Sequence, residues 1–396
     1  MSMAPLVLML SAAHPPGDIR IVEKEGAALA EAGFRVRHLA PGGAEDGIRH
    51  GVALDTYAAP RGWRGRVLGI PALARRAALA RPAVIHAHEP DSWVAALLAA
   101  RRCGARVVLD VHEHYPSRLD PRLPAALRPL GRAVLRAACR WLAARADAVV
   151  VAKDGLDGDY GGAARCTPVR NYATPVELVP RQHVAGPVTL VHLGALTRAR
   201  GAFVMLDALA LLPPGTRLLL IGRFTDGSET VFLARAAALG LADRIESLDW
   251  MPREAALARA AAADIGLVLF QPGVENHRLA LPHKLFDCML AGLPVIVPAM
   301  AEEVSAVVAE AGCGLVVDTA DPVAVAAAIT DLSNPALRAE LGAHGRLAAL
   351  TRFGWTAEAA RLVRLYRGLT ASPSAAIQMA TAAAPASRMP TARAPR

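Results

Sequence analysis

The feature that most restricts this chain is an alternation. Short apolar runs are separated by alanine-rich helical segments along most of the 396 residues. Strands are expected at 5–11, 34–40, 83–88, 105–114 and 147–153, and again at 188–195, 217–223, 245–250, 264–270, 294–298 and 314–318. Helices are expected at 18–33, from about residue 91, over 124–145 and 201–212, up to Leu239, and at 253–262, 282–290, 302–311 and 352–369. Strands that are apolar on both sides and separated by helices form parallel sheets covered on both faces. The fold class is therefore α/β. The pattern runs, breaks and runs again, so two doubly wound, Rossmann-like parallel-sheet domains are expected, as the length also favours.

The break is "ATPVELVPRQHVAGP", with three prolines in 173–187. The expected organisation is a first domain over 1–175, a linker over 176–187, a second domain over 188–351, a helix over 352–370 returning to the first domain, and a disordered Ala/Pro/Ser/Thr tail over 371–396. "APLVLMLSAA" at the start lacks a basic flank and runs into Pro-Pro-Gly, so it reads as a buried strand and not as a signal peptide. No apolar window approaches the roughly 18–20 residues of a membrane span. The five cysteines show no metal-site or redox spacing and are expected to be reduced thiols in a cytoplasmic protein.

Arginine outnumbers lysine 41 to 3, and the net charge of +9 is uneven. Residues 1–185 carry 25 basic and 17 acidic groups, whereas 186–370 carry 16 and 18. The first domain is thus expected to meet something anionic, such as a phosphorylated acceptor or a lipid surface. No interleaved aromatic and basic signature of nucleic-acid binding is present. Arg128, Arg132, Arg136 and Arg140 recur every fourth residue on the 124–145 helix. That basic face suits an anionic membrane surface through 122–145, although a solvated face in an arginine-rich protein reads equally well.

Ligands of open parallel sheets bind beyond the carboxyl ends of the strands, which selects the loops 11–18, 86–91, 110–116, 194–201, 270–284 and 298–303. Neither G-x-G-x-x-G after the first strand nor G-x-x-x-x-G-K-[ST] occurs. Asp157 and Asp159 have D-x-D spacing but lie among turn-forming glycines, and no metal is assigned to them. In "LPHKLFDCMLAGLPVI" (281–296), Pro282 suits the first turn of a helix, whose free N–H groups attract anions. Lys284 adds a full charge, and Asp287 lies one turn deeper on the same face. Cation, helix start and carboxylate together suit the diphosphate and ribose of a nucleotide; a solvated lysine and an ordinary surface aspartate is the competing reading. "GALTRARG" adds Arg198 and Arg200 at a second helix start, so two loops can close on one diphosphate.

These stretches, with "LDWMPREAALARAAAADIGLVLF" and "GCGLVVDTAD", resemble the donor half of family 4 glycosyltransferases. "HPPGDIRIVEKEGAALAEAGFRV", "VIHAHEPDSW" and "LDVHEHYP" resemble the acceptor half, and the likeness runs over roughly 5–369. It implies the GT-B fold, with two Rossmann-like domains facing a central cleft, and a retaining enzyme that uses a nucleotide sugar, most readily a UDP- or GDP-sugar, without cofactor or essential metal. By that likeness Asp287 holds the ribose, Arg200 is the basic residue of the phosphate loop, and His112 lies near the transferred sugar; Lys284 and Arg198 join Arg200 on the diphosphate by the charge argument above. A buried structural histidine is the other reading of His112; His86 and His88 are read as structural. The loop of His14, Gly17 and Asp18 lies where acceptor and donor phosphates meet. Two positions depart from the family. Leu279 stands where a glutamate is usual, leaving Glu275 or Asn276 as candidate sugar contacts, and Ala195 stands where an arginine is usual. The expected activity is transfer of a sugar to a glycan, lipid-linked or small-molecule acceptor at the inner face of the cytoplasmic membrane, in polysaccharide biosynthesis. A sugar-nucleotide epimerase of the same fold and a non-catalytic nucleotide-binding subunit are the competing readings.

Overall fold

In the computed structural model, residues 4–43 and 47–371 are described; the expected tail lies almost wholly outside them. The first domain holds β1 (Leu6–Leu10), β2 (Arg35–Pro41), β3 (Gly47–Arg49), β4 (Val52–Tyr57), β5 (Val84–Ala87), β6 (Arg106–Val111), β7 (Ala148–Val151) and β8 (Cys166–Pro168). They pair in the order β3-β4-β2-β1-β5-β6-β7-β8, all parallel except β3 against β4. The second domain holds β9 (Thr189–Leu193), β10 (Arg217–Ile221), β11 (Ile245–Leu248), β12 (Ile265–Leu267), β13 (Val295–Pro298) and β14 (Gly314–Val317), in the order β11-β10-β9-β12-β13-β14. Strand order reverses at β1 in one sheet and at β9 in the other. Each reversal opens a crevice at the carboxyl end of its strand.

The strands are buried on both faces because both faces are covered by helices. Leu8, Leu10, Ile85 and Leu109 point into one layer of the first domain, with Trp93 of the helix Pro90–Cys103. Val7, Met9, Val108 and Val150 point into the other, with Leu362 and Tyr366 of the helix Trp355–Thr370. That last helix follows the second domain in sequence but packs on the first. Backbone bonds between Ala173 and Phe353 (2.8 Å) and between Trp355 and Ala173 (2.7 Å) mark the crossing. Between β8 and β9 the chain has neither helix nor extended strand.

Several elements differ from the sequence reading. The segment expected as a helix over 18–33 starts as a π-helical stretch, Ile19–Gly26, and becomes α-helical only over Ala27–Glu31. Asp18 caps it, accepting from the N–H groups of Arg20 (2.9 Å) and Ile21 (3.1 Å). Strand β4 and the helix Gly62–Leu79 fill a region the alternation left unread, as do the helices Pro322–Asp331 and Pro335–Leu350 farther on. Among the described residues no helix is long and apolar enough to cross a membrane. All five cysteines are free thiols.

Candidate active site

The two crevices face each other across a cleft of about 830 Å³. From the second domain come Gly194 and Arg200 of the loop after β9, and Lys284 and Asp287 of the helix His283–Leu290. From the first come His14, Gly17 and Asp18 after β1, and His112 after β6. Asn276 also lines the cleft, and its Oδ1 accepts from the backbone N–H of His114 in the opposite domain (2.7 Å). Most of the residues singled out from sequence therefore converge on one cavity.

Two do not. Arg198 is exposed, and its guanidinium lies over the Phe203 ring, 4.0 Å from the centroid. It is paired with an aromatic face outside the cleft because the 3-10 turn Arg198–Arg200 sends alternate side chains opposite ways. Glu275 is turned away as well, bound to Arg278 at 2.6 Å on its own short helix. The arginine stripe also reads differently in three dimensions. Arg132 is held by Asp120 (2.5 Å) and Arg136 by Asp159, while Arg140 and Arg128 donate to the carbonyls of Gly158 and Leu123. Besides Arg128 and Arg140, the helix Arg128–Ala143 and the turn before it turn an apolar row outward: Leu130 is 64% exposed and Val134 60%, with Leu127 and Trp141 near half. Asp159 is occupied by Arg136 and by His114 (3.1 Å), so this half of the D-x-D pair is built into the fold.

Backbone geometry sets the second-domain wall. Gly222 has φ +146° and passes so close to the Gly194 carbonyl that a Cβ would lie 2.1 Å from the oxygen. This contact lets the loop after β9 dip beneath the cleft. Thr197 caps the following turn, its Oγ1 accepting from the N–H of Arg200 (3.0 Å). Pro282 takes the N-cap position, one residue before the first helical turn expected for it. Lys284 is buried, with Nζ 2.9 Å from His192 Nε2. Burial, reinforced by nearby Arg200, holds its amine well below the usual lysine range. Burial likewise lowers Arg200. Neither cation meets a carboxylate in an ion pair among the described residues.

Asp287 is not a free carboxylate. Arg253, which the sequence reading passed over, holds it from the helix Arg253–Ala260 with Nη2 at 2.7 Å and Nε at 3.0 Å. Burial raises the Asp287 carboxyl above its ordinary value in spite of that arginine. The N-terminal half of the "PREAAL" segment carried this arginine, but nothing in its local spacing pointed to the cleft.

The opposite wall rests on a buried polar cluster. Asp110 Oδ2 lies 2.5 Å from His112 Nε2 and 3.1 Å from His88 Nδ1. Arg20 reaches the same carboxylate at 3.0 Å and Glu25 at 2.7 Å. Charge from Arg20 and His112 holds Asp110 well below the carboxylate range, overcoming the opposing effect of burial. Tyr366, from the returning helix, meets His86 Nδ1 at 2.5 Å. Glu25, His86, His88 and Asp110 bring one ligand atom each within 4.8 Å of one another, a donor set of metal type. Arg20 already supplies the cation those two carboxylates require, so the set fits a guanidinium-centred network better than an ion. Beside His112, the rings of His14 and His112 lie 4.8 Å apart. Three backbone N–H groups, of Ala12, Ala13 and His14, are taken up by the Glu89 carboxylate at 2.8–2.9 Å. His14 Nδ1 is 3.1 Å from Asp18, which raises the histidine pKa and lowers the aspartate, each against the effect of burial.

Comparison with known proteins agrees with this geometry. Residues 20–155 match the model of Glycosyltransferase Family 4, and residues 187–334 match that of Glycosyl transferases group 1. No curated protein sequence shows significant similarity to the chain. Among solved structures, a sucrose-phosphate synthase from Thermosynechococcus elongatus superposes with a TM-score of 0.75 at 20% identity, covering 92% of this chain and 99% of that one. Anabaena HepE, solved in complex with UDP-glucose, gives 0.70 at 17% identity over 92% and 100%. WaaG, a glycosyltransferase involved in lipopolysaccharide biosynthesis, gives 0.65 at 18% identity over 93% and 100%. With both halves matched in order and the whole fold shared, the chain belongs to the GT-B glycosyltransferases of the family 4 and group 1 type.

Proposed function

We propose that this glycosyltransferase is a retaining, metal-independent enzyme that moves a sugar from a nucleoside-diphosphate donor, a UDP- or GDP-sugar, to a glycan, lipid-linked or small-molecule acceptor. The observation that carries this reading is a pair of basic side chains without an ion-pair partner, buried Lys284 and half-buried Arg200, on one wall of the cleft, facing the His112–Asp110 pair on the other. The diphosphate leaving group gains charge as its bond to the sugar breaks. Fixed cations in a water-poor site stabilise that charge more in the transition state than in the ground state. Arg200 and Lys284 hold the diphosphate. Asp287, kept in place by Arg253, accepts from the ribose hydroxyls. His112, with Nε2 committed to Asp110, keeps Nδ1 for the transferred sugar. Asn276 is the sugar contact that stands in for the glutamate replaced by Leu279. We assign no side chain to a covalent intermediate: attack on the departing face, with the leaving phosphate accepting the acceptor proton, is the route this reading takes. Binding of UDP and UDP-glucose by HepE supports a nucleotide-sugar donor.

Donor hydrolysis over a panel of UDP-, GDP-, ADP- and TDP-sugars tests the reading without knowledge of the acceptor. Arg200→Ala and Lys284→Ala should each lower the rate at least tenfold; unchanged rates in both would refute it. Isomerised donor appearing with enzyme alone would instead indicate an epimerase.

Peripheral attachment to the inner face of the cytoplasmic membrane, through 122–145, completes the proposal. The outward row Leu127, Leu130, Val134 and Trp141 supports it, flanked by the exposed Arg128, Arg140 and Arg145. Insertion of the apolar row with arginines at headgroup level replaces the purely electrostatic contact expected from sequence. Flotation with anionic and neutral vesicles should show anionic preference, lost when Leu130 and Val134 become Ser.

A further inference from the structure

All three lysines of this chain lie buried where the two domains meet, whereas its 41 arginines are spread along the whole sequence. Lys24 is 2% exposed and bridges to His283 of the second domain (Nζ to Nδ1, 3.2 Å) and to the Tyr172 carbonyl (2.6 Å). Lys284 is the donor-wall cation already described. Lys153, 6% exposed, follows β7 and lines the same cleft from the first domain. A chain that otherwise meets its basic needs with guanidinium uses an amine only where a compact point charge must fit a confined space.

Lys24 is satisfied by protein groups, and Lys284 has His192. Lys153 has neither kind of partner. Among the described residues its amine forms no ion pair or hydrogen bond. The two carboxylates whose charge reaches it, Glu113 and Glu303, form no ion pair with it: Glu113 pairs with Arg118 at 3.0 Å, and Glu303 accepts from the backbone N–H of Asp154 at 3.0 Å and lies 3.8 Å from Arg170. A buried amine lining a ligand cavity without a direct ion-pair partner is poised for a charge that arrives with the ligand. The remaining cations of the cleft can be assigned. Arg20 is neutralised by Asp110 and Glu25, Arg118 by Glu113 and Arg253 by Asp287. Arg200 and Lys284 match a diphosphate.

We propose that Lys153 recognises a further anionic group, a carboxylate or a phosphate, carried by the transferred sugar or by the acceptor. This rests on the nucleotide-sugar reading and deepens it, because it makes one of the two reacting partners acidic. The group would enter on the first-domain wall, across the cleft from the diphosphate cations. Burial pushes the amine down to about 8, so it stays protonated at neutral pH and gains charge stability once the anion is seated.

The test compares wild type with Lys153→Met, which keeps side-chain length and removes the charge, and Lys153→Arg. UDP affinity by calorimetry is the control and should change less than twofold in Lys153→Met. The probes are hydrolysis of UDP-glucose against UDP-glucuronate, and titration of glucose 1-phosphate and inorganic phosphate onto UDP-saturated protein. If the donor sugar carries the anion, wild type favours UDP-glucuronate and Lys153→Met loses that preference tenfold or more. If the acceptor carries it, phosphate-bearing ligands bind the wild type at least tenfold more tightly than Lys153→Met. Equal behaviour of wild type and Lys153→Met towards every anionic probe overturns the proposal. So does a tenfold loss of UDP affinity, which would make Lys153 another diphosphate ligand. Failure of the wild type to bind UDP and GDP alike would refute the nucleotide reading separately, and phosphate binding to the free protein would still report on Lys153.

Discussion

Replacing Lys284 by Met separates binding from stability in a way few substitutions can. The two side chains are similar in length, so the Phe270 ring, 5.9 Å from the amine, and the walls around it keep their packing. The charge and one donor are lost. A charge-assisted hydrogen bond to a diphosphate contributes about 1.5–3 kcal/mol, so UDP should bind roughly 10- to 150-fold more weakly. The barrier to donor cleavage should rise by about 2.7–4 kcal/mol, roughly 10²–10³ in kcat. Stability should move the other way. Burial and Arg200 depress the folded-state pKa of Lys284, so below the unfolded value the folded protein binds fewer protons than the unfolded chain. The wild type is therefore penalised at neutral pH, and the penalty fades only as pH rises towards the ordinary lysine range. The ligand-free Met variant should melt at or above the wild-type temperature at pH 7, with His192 still 3.4 Å from the Ala195 carbonyl. Differential scanning fluorimetry with and without saturating UDP reads both quantities. Wild type should show a clear UDP-induced rise in Tm and the variant little or none. A variant that keeps the wild-type UDP shift, or melts well below wild type without ligand, would refute the assignment.

Arg253→Met should leave the half-buried Asp287 without its ion-pair partner and cost about 1–3 kcal/mol in denaturant melts; adding Asp287→Asn should recover part of that loss without restoring UDP affinity. Asp110→Asn should lower donor cleavage far more than UDP affinity, because the carboxylate that orients His112 through Nε2 is lost while the diphosphate wall is untouched. Calorimetry and rate on the same sample show the split. Gly222→Ala forces a Cβ to within 2.1 Å of a carbonyl at φ +146° and should cost on the order of 2–4 kcal/mol, against about 1 kcal/mol for Gly227→Ala, where φ is +74° and the space is open. Glu303, pushed up to about 7 chiefly by burial, folds more favourably protonated than ionised. Its contribution is present below the ordinary glutamate range and is lost as pH rises through 7, so Glu303→Gln should raise Tm at pH 8 and change it little at pH 4.5.

The donor wall was the more legible half of the site because its parts are local. A helix start, a lysine in its first turn and an aspartate at i+3 are set by 3.6-residue geometry, and "LTRARG" marks a loop between strand and helix whatever surrounds it. The same local view misplaced Arg198, since a residue two positions from Arg200 leaves a 3-10 turn on another side. It also read the arginine row 128–140 as one basic face, for a membrane or for solvent, without the carboxylates and carbonyls that those side chains reach on separate turns. Helices at Pro322–Asp331 and Pro335–Leu350 went unread because alanine on both faces blurs the helical period.

By itself, the order of apolar strands and alanine-rich helices determined the two parallel sheets, and the loops at their carboxyl ends determined where ligands could meet the chain. These are consequences of pattern and period, which any stretch of backbone carries with it. Only the tertiary structure decided which charges stay free. Asp287 acquires Arg253 from another helix, Arg20 settles between Asp110 and Glu25, and Tyr366 crosses from the final helix to His86. Lys153 is left buried with no hydrogen bond or ion pair among the described residues, a condition that arises only when residues far apart in sequence pack together and exclude water.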